Sequence, residues 1–211
     1  MPLIAVDGPA ASGKGTIARA LARHFGLPHL DTGALYRAVA LVTQRAGIAA
    51  SDAESCARAA ATLSPELVED PGIRSDETGQ RASEIAAIPA VRAALLQLQR
   101  EFAARPGGAV LDGRDIGTVI APEADAKLFV TADAAVRARR RHLELQQAGR
   151  NASAEDILQS ILARDALDRG RTIAPLRKAA DADLLDTSDL DIETSVQQAV
   201  NLVLNRLSQA D

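Results

Sequence analysis

Tryptophan is missing from this chain, and aromatic residues of any kind are scarce: one Tyr and three Phe, 2% of 211 residues. The core must therefore be built from Ala, Leu, Val and Ile. At 47% apolar residues there are enough of them for one α/β domain rather than a disordered polymer. The single cysteine, Cys56, excludes an intrachain disulfide and fits a reducing compartment. No apolar run approaches the roughly 18 residues of a membrane span. Met1-Pro2 leads straight into an apolar segment, with no basic-then-apolar leader. The formal net charge of -4 argues against a general nucleic-acid binder, since such domains are usually basic. The expectation is a soluble cytoplasmic protein that meets neither nucleic acid nor membrane.

Four short apolar runs read as buried strands: Leu3 to Val6, Ala109 to Leu111, Lys127 to Val130 and Asp183 to Leu185, with a weaker fifth at Pro28 to Leu30. Each leads through Gly, Asp or Thr into a helical pattern, the signature of βαβ units and a parallel sheet. Helical spacing marks Thr16 to Phe25, Ile88 to Ala103, Ser153 to Asp168 and Glu193 to Leu207. The third opens with SAED, a capping-box-like start. Between Gly47 and Pro89 the chain turns Ala- and Ser-rich, with a turn at Pro71-Gly72, and reads as an insertion between sheet units.

The run GPAASGKGT follows the first strand. Gly8 to Lys14 fits G-x-x-x-x-G-K, in which glycines let successive amides point at a phosphate and the next helix adds its positive end. Gly8, Pro9, Ala10, Ala11, Ser12, Gly13, Lys14, Gly15 and Thr16 are the expected ATP-binding residues, with Lys14 reaching the β- and γ-phosphates. Where Ser or Thr usually follows the lysine to hold magnesium, this chain has Gly15, with Thr16 one place later. That departure, and the lack of an NKxD guanine motif, disfavour a GTPase switch.

Three further stretches, LDTGALYR (Leu30 to Arg37), DGRDIGTVIAPEADAKLFV (Asp112 to Val130) and RDALDRGRTIAPL (Arg164 to Leu176), together with the GKGT ending, resemble bacterial cytidylate kinases of the P-loop nucleoside monophosphate kinase family. The resemblance spans essentially the whole chain in order and spacing. It implies a three-layer P-loop kinase with a parallel central sheet, an acceptor-binding insertion at about 39–87 and a lid at about 142–153. The core would be about 1–38, 88–141 and 154–211. It also implies phosphoryl transfer from ATP, with Mg2+, to CMP or dCMP by a monomer.

The residue chemistry agrees. An acceptor phosphate with a second pKa of roughly 6 is already a nucleophile at neutral pH, so such an enzyme needs arginines rather than a general base. His24, His29 and His142 show no ligand-like spacing. Arg164, Asp168 and Arg171 lie at i, i+4 and i+7, with Asp165 and Arg169 as a second pair beside them. On pattern alone this is a surface ladder of salt bridges. The resemblance instead puts Arg164 and Asp168 on the acceptor ribose and phosphate, Arg171 on the phosphates in transfer, and Arg37 and Arg114 on the acceptor phosphate. Arg suits these places through bidentate pairing. Lys14, Arg114, Arg164 and Arg171 are the expected catalytic set. In RARRR (Arg137 to Arg141), one or two arginines, Arg139 or Arg141, are expected to face the donor phosphates.

Cytosine offers an amino donor at C4, which a carboxylate suits. The resemblance assigns that part to Asp115, with Ser83 and Arg92 as further base contacts, Thr32 supplying an acceptor-site hydroxyl and Tyr36 bordering the base. Asp112, at a strand end, is where a P-loop enzyme often sets an acid near magnesium, sometimes through water; the plain alternative is a strand-end turn residue. The insertion departs from the family: LSPELVEDPGI (Leu63 to Ile73) is too short for a long hairpin, so helices with one short ribbon are expected. Two rivals share the loop: a kinase for AMP, UMP or a hydroxyl acceptor, with Asp115 as base, and a nucleotide-gated binding module without turnover.

Overall fold

The computed structural model describes residues 1–147, 149 and 152–209. Five strands, β1 (Leu3–Asp7), β2 (His29–Asp31), β3 (Ala109–Gly113), β4 (Ala126–Thr131) and β5 (Asp183–Asp186), form one sheet in the order β2-β3-β1-β4-β5. All pairings are parallel. The chain thus reverses direction of growth at β1, and the crevice between the ends of β1 and β3 is the switch point where open α/β sheets place ligands.

Helices cover both faces. Ile4 and Val6 of β1 and Leu128 and Val130 of β4 pack against Ile17 and Leu21 of α1 (Lys14–Phe25) and Val200 and Val203 of α8 (Ile192–Leu207). Ala5 and Leu111 point the other way, toward Ala103, Ile116 and Ile120. This alternation is the strand period of two, and both faces are apolar because both are covered. Burying one such Leu or Ile contributes roughly 1.5–3 kcal/mol. Helix α1 stops at Gly26, whose φ of 65° is the left-handed conformation that ends helices.

The segment between the sheet units holds α2 (Thr32–Arg45), α3 (Ala53–Ala61), two 3-10 turns (Pro65–Glu69 and Pro71–Arg74), α4 (Asp76–Ile85) and α5 (Pro89–Ala103). Its own core joins Tyr36, Val39, Cys56, Ile85, Val91 and Leu95. Cys56 packs there, its thiol against the Ala49 carbonyl oxygen at 3.6 Å. The expected ribbon is not among the described residues; 3-10 turns take its place. Pro65 and Pro71 each sit at the first turn of one, where a missing N–H costs nothing. Helix α2 has no clear apolar stripe in the sequence, and the reason is packing. Leu35, Tyr36 and Val39 face one cluster while Ala38 and Leu41 face another, so it is buried on two sides. Helices α6 (Ala134–Gln147) and α7 (Ala154–Gly170) complete the chain between β4 and β5, and Ser153 caps α7 by accepting from the Asp156 amide at 3.0 Å. Of the expected lid at 142–153, Ala148, Arg150 and Asn151 lie outside the described residues.

Candidate active site

The loop from Gly8 to Lys14 joins β1 to α1. A Cβ at Gly8 would collide with the Val130 carbonyl oxygen of β4, so only glycine lets the loop leave the sheet so closely. Gly13 (φ 85°) and Ala11 (φ 58°) are left-handed. For Ala11 that conformation costs about 1–2 kcal/mol, a strain of the kind that collects at ligand clamps. Gly13 caps α1 without a side chain, which leaves the first-turn amides to the loop's concave face. Lys14 opens this helix. Burial, reinforced by Arg114 nearby, pushes its ammonium down to about 8 despite Asp112 and Asp31.

Behind the loop stands Asp112, at the end of β3. It is buried; its Oδ1 meets His29 Nε2 at 2.7 Å, and Thr32 Oγ1 donates to its backbone carbonyl at 2.8 Å. The Oδ2 lies 3.8 Å from where a Cβ on Gly15 would sit. Asp112 therefore presents one oxygen toward the start of α1, while Thr16 Oγ1 accepts from Arg19 at 3.5 Å. No group of three or more His, Cys, Asp or Glu side chains among the described residues is arranged to cage a metal. One carboxylate beside a phosphate loop suits Mg2+, which keeps several waters and takes its remaining ligands from phosphate oxygens.

On the other side of Gly113 the chain turns into an arginine-rich cluster. Arg114 Nε donates to Asp168 Oδ2 at 2.7 Å, and Arg171 donates to Asp168 Oδ1 at 2.6 Å and to the Ser83 carbonyl at 3.2 Å. Asp168 is buried, which would raise its pKa, but the two guanidiniums outweigh burial and hold it below the usual carboxylate range. Arg164 makes a single long contact, 3.4 Å to Ser83 Oγ. Burial, with Arg114 and Arg37 adding repulsion, brings its guanidinium down to about 10. The Nε of Arg171 is buried without a partner among the described residues. Arg114, Arg164 and Arg171 thus gather around the buried Asp168 carboxylate, with Arg37 beside Arg164, a concentration of positive charge suited to a polyanion. Arg37 is steered by backbone alone, donating to the Ile73 carbonyl at 2.7 Å, with Gly79 of α4 leaving room for its guanidinium.

Beside this cluster, Arg92 of α5 pairs with Asp115 Oδ2, and its Cζ lies 5.8 Å from the centre of the Tyr36 ring. Burial raises the Asp115 carboxyl against the pull of Arg92 and Arg171. Asp115 Oδ1 makes no hydrogen bond among the described residues. Asp115, Arg92 and Tyr36, drawn from three parts of the chain, therefore form one cluster, with Arg171 linking it to Ser83.

The charge ladder of α7 keeps only its Asp168–Arg171 pair and otherwise turns to partners outside the helix. Asp168 pairs with Arg114 and Arg171 rather than with Arg164, and Asp165 pairs with Arg137 at 2.6 Å rather than with Arg169. Arg137, which sequence reasoning left within a generic basic run, is buried and also donates to the Ala10 carbonyl of the phosphate loop at 3.0 Å. Arg141, one turn on and on the same face, reaches Asp76 of α4 at 2.6 Å. Arg139 lies about 200° round the helix from Arg137 and is exposed, so of the two arginines expected at the donor phosphates only Arg141 shares the loop-facing side. His29 and Asp7 were also passed over. His29 holds Asp112, and Asp7 accepts from the amides of Ile116 and Gly117 at 2.8 Å each. The only sequence signal for Asp7 was an acid directly before the phosphate loop, and for His29 there was none.

Residues 4–205 match the family described as cytidylate kinase. Proteins named cytidylate kinase from Bradyrhizobium sp. (strain ORS 278) and Rhodopseudomonas palustris (strain BisA53) are 54% and 53% identical to this chain over 201 residues, 95% of each chain. Among solved structures, a gluconokinase from Sinorhizobium meliloti 1021 is similar with a TM-score of 0.58 at 17% identity, over 99% of this chain and 95% of that one; this likeness is one of fold.

Proposed function

The chain belongs to the cytidylate kinase family, and from that membership we infer that it transfers the terminal phosphoryl group of ATP to CMP or dCMP, giving ADP and CDP or dCDP. One observation carries the site assignment: Arg114, Arg164 and Arg171 gather around the buried carboxylate of Asp168, with Arg37 close enough to Arg164 to repel it and Lys14 of the phosphate loop close to Arg114 and Arg164. Transfer between two polyanions is mostly positioning and charge stabilisation, and these arginines supply both. Gly8 to Thr16 cradle the ATP phosphates, with Lys14 on the β- and γ-phosphates. Asp112 would hold magnesium through water, and the ion would supply charge neutralisation at the donor phosphates. CMP sits among Thr32, Tyr36, Arg37, Ser83, Arg92, Arg114, Asp115, Arg164 and Asp168. Arg171 follows the phosphoryl group in transfer.

Asp115 reads the base. Arg92 occupies one of its oxygens, and the other accepts from the C4 amino group of cytosine. Uracil would present O4 lone pairs there, and a mismatched polar pair costs far more than a missing methylene. A hydroxyl-acceptor kinase is disfavoured because the arginine cluster suits an acceptor that is already an anion. The insertion at 39–87 closes on the acceptor and the segment at 142–153 on the donor, excluding water that would hydrolyse ATP. The protein works as a monomer, and no described helix is long and apolar enough to cross a membrane.

The test is ADP release from ATP and magnesium with CMP, dCMP, UMP, AMP, GMP or shikimate as acceptor. Turnover confined to CMP and dCMP is expected. Equal turnover of UMP would remove the base-reading role of Asp115. ATP binding without acceptor-stimulated turnover would leave a nucleotide-gated binding module instead.

A further inference from the structure

The residue at the N-cap of a helical turn ordinarily satisfies the turn's free amides with its own side chain, and Asp is among the best at it. Asp115 occupies that position for the π turn Ile116–Ile120, yet its side chain makes no capping bond. Its carboxylate points to Arg92 instead. The amides of Ile116 and Gly117 are capped from elsewhere: Asp7 Oδ1 accepts from Ile116 and Oδ2 from Gly117, both at 2.8 Å, across 109 and 110 residues of sequence. The sheet makes this reach short, because β1 and β3 are neighbours and Asp7 is in register with Gly113.

We propose that Asp7 is a positioning residue for base selection: by capping the turn from the adjacent strand, it leaves the Asp115 carboxylate free to read the acceptor base. The proposal rests on Asp115 reading the base. Asp7 is buried at 4% exposure and immediately precedes Gly8, so one side chain ties the start of the donor loop to the turn carrying the acceptor's base contact. Removal of its acceptors leaves two buried N–H groups unpaired, which burial makes costly. The carboxylate placed at the N-cap to relieve them locally is that of Asp115, which would have to abandon both Arg92 and the base. A purely structural Asp7 would slow CMP and UMP alike. A positioning Asp7 changes their ratio.

The experiment measures kcat/KM for CMP and for UMP in the full chain and in Asp7→Asn, Asp7→Ser, Asp115→Ala and the double variant Asp7→Asn/Asp115→Ala, with thermal unfolding of each. Asp7→Asn keeps the volume but sets an NH2 against one amide; Asp7→Ser, smaller and still an acceptor, gives an independent second reading. The CMP-to-UMP ratio is expected to fall on the order of tenfold or more in either Asp7 variant. It should fall no further in the double variant than in Asp115→Ala, since both changes disable one device. A ratio lowered by Asp115→Ala but kept at the wild-type value in the Asp7 variants overturns the proposal alone. A ratio unmoved by Asp115→Ala overturns the base-reading assignment, and the proposal with it.

Discussion

In the proposed assignment, the donor side and the acceptor side of this site solve the same problem, holding a polyanion, by opposite means. The donor side is built from backbone: nine consecutive residues, two left-handed turns and the open end of α1, with Lys14 as its principal side chain. The acceptor side is built almost wholly from side chains, and they come from separate elements: Arg37 from α2, Ser83 from α4, Arg92 from α5, Arg114 and Asp115 from the end of β3, Arg164 and Asp168 from α7. Backbone amides are fixed by the chain's path and cannot rotate away. Guanidiniums must be held by groups from elsewhere in the chain, and here Asp168, Asp115 and the Ile73 and Ser83 carbonyls do so. A backbone site is therefore rigid and indifferent to the rest of the ligand. A side-chain site can be selective, at the cost of depending on several elements closing together.

The largest break in this comparison is expected on the donor side. Gly8→Ala drives a Cβ into the Val130 carbonyl, with backbone on both sides of the collision. ATP-dependent turnover should fall on the order of 10^3-fold, as when a preorganised donor set is lost, and steady-state kinetics check this. Next comes Asp168→Asn on the acceptor side. It takes the buried carboxylate from Arg114 and Arg171 and should cost about 3 kcal/mol in denaturant unfolding, with KM for CMP raised more than KM for ATP. An equal rise in both would erase the division between the two sides.

Lys14 supplies a pH signature for the donor side. Its ammonium is held down at about 8 by burial and by Arg114. The free enzyme therefore loses this charge above that value, and kcat/KM for ATP should fall as pH rises through about 8. Lys14→Arg, whose guanidinium does not titrate there, should flatten that limb even at reduced turnover. Between about 8 and 10.5 the unfolded chain holds this proton more tightly than the folded one, so the group's contribution to folding stability rises with pH across that window. The smallest effects separate two arginines of α6. Arg141→Ala removes the tie to Asp76 and should raise KM for CMP severalfold, whereas Arg139→Ala, exposed on the far side, should change stability by no more than about 0.5 kcal/mol and leave KM for ATP in place.

Local patterns were legible. The apolar runs at Leu3 to Val6 and Lys127 to Val130 became neighbouring parallel strands, and the weak run before Asp31 became the edge strand β2. Helix α7 begins where its capping pattern begins. Helix α2 was illegible because burial on two faces erases the stripe that periodicity detects. The missing ribbon belongs to the same class of error: a resemblance supplies a family's usual insertion, while two prolines in this chain favour 3-10 turns.

By itself the sequence determined the sheet class, the phosphate loop and the kinase resemblance, because each is written in residues close together along the chain, where spacing alone sets geometry. Tertiary structure alone decided the long-range partners of the buried charges. Asp168 binds Arg114 rather than Arg164, Asp165 binds Arg137 rather than Arg169, and Asp7 caps a turn more than a hundred residues away. A buried charge takes whichever counter-charge or amide the packing brings within about 3 Å, and distance along the chain does not enter that choice.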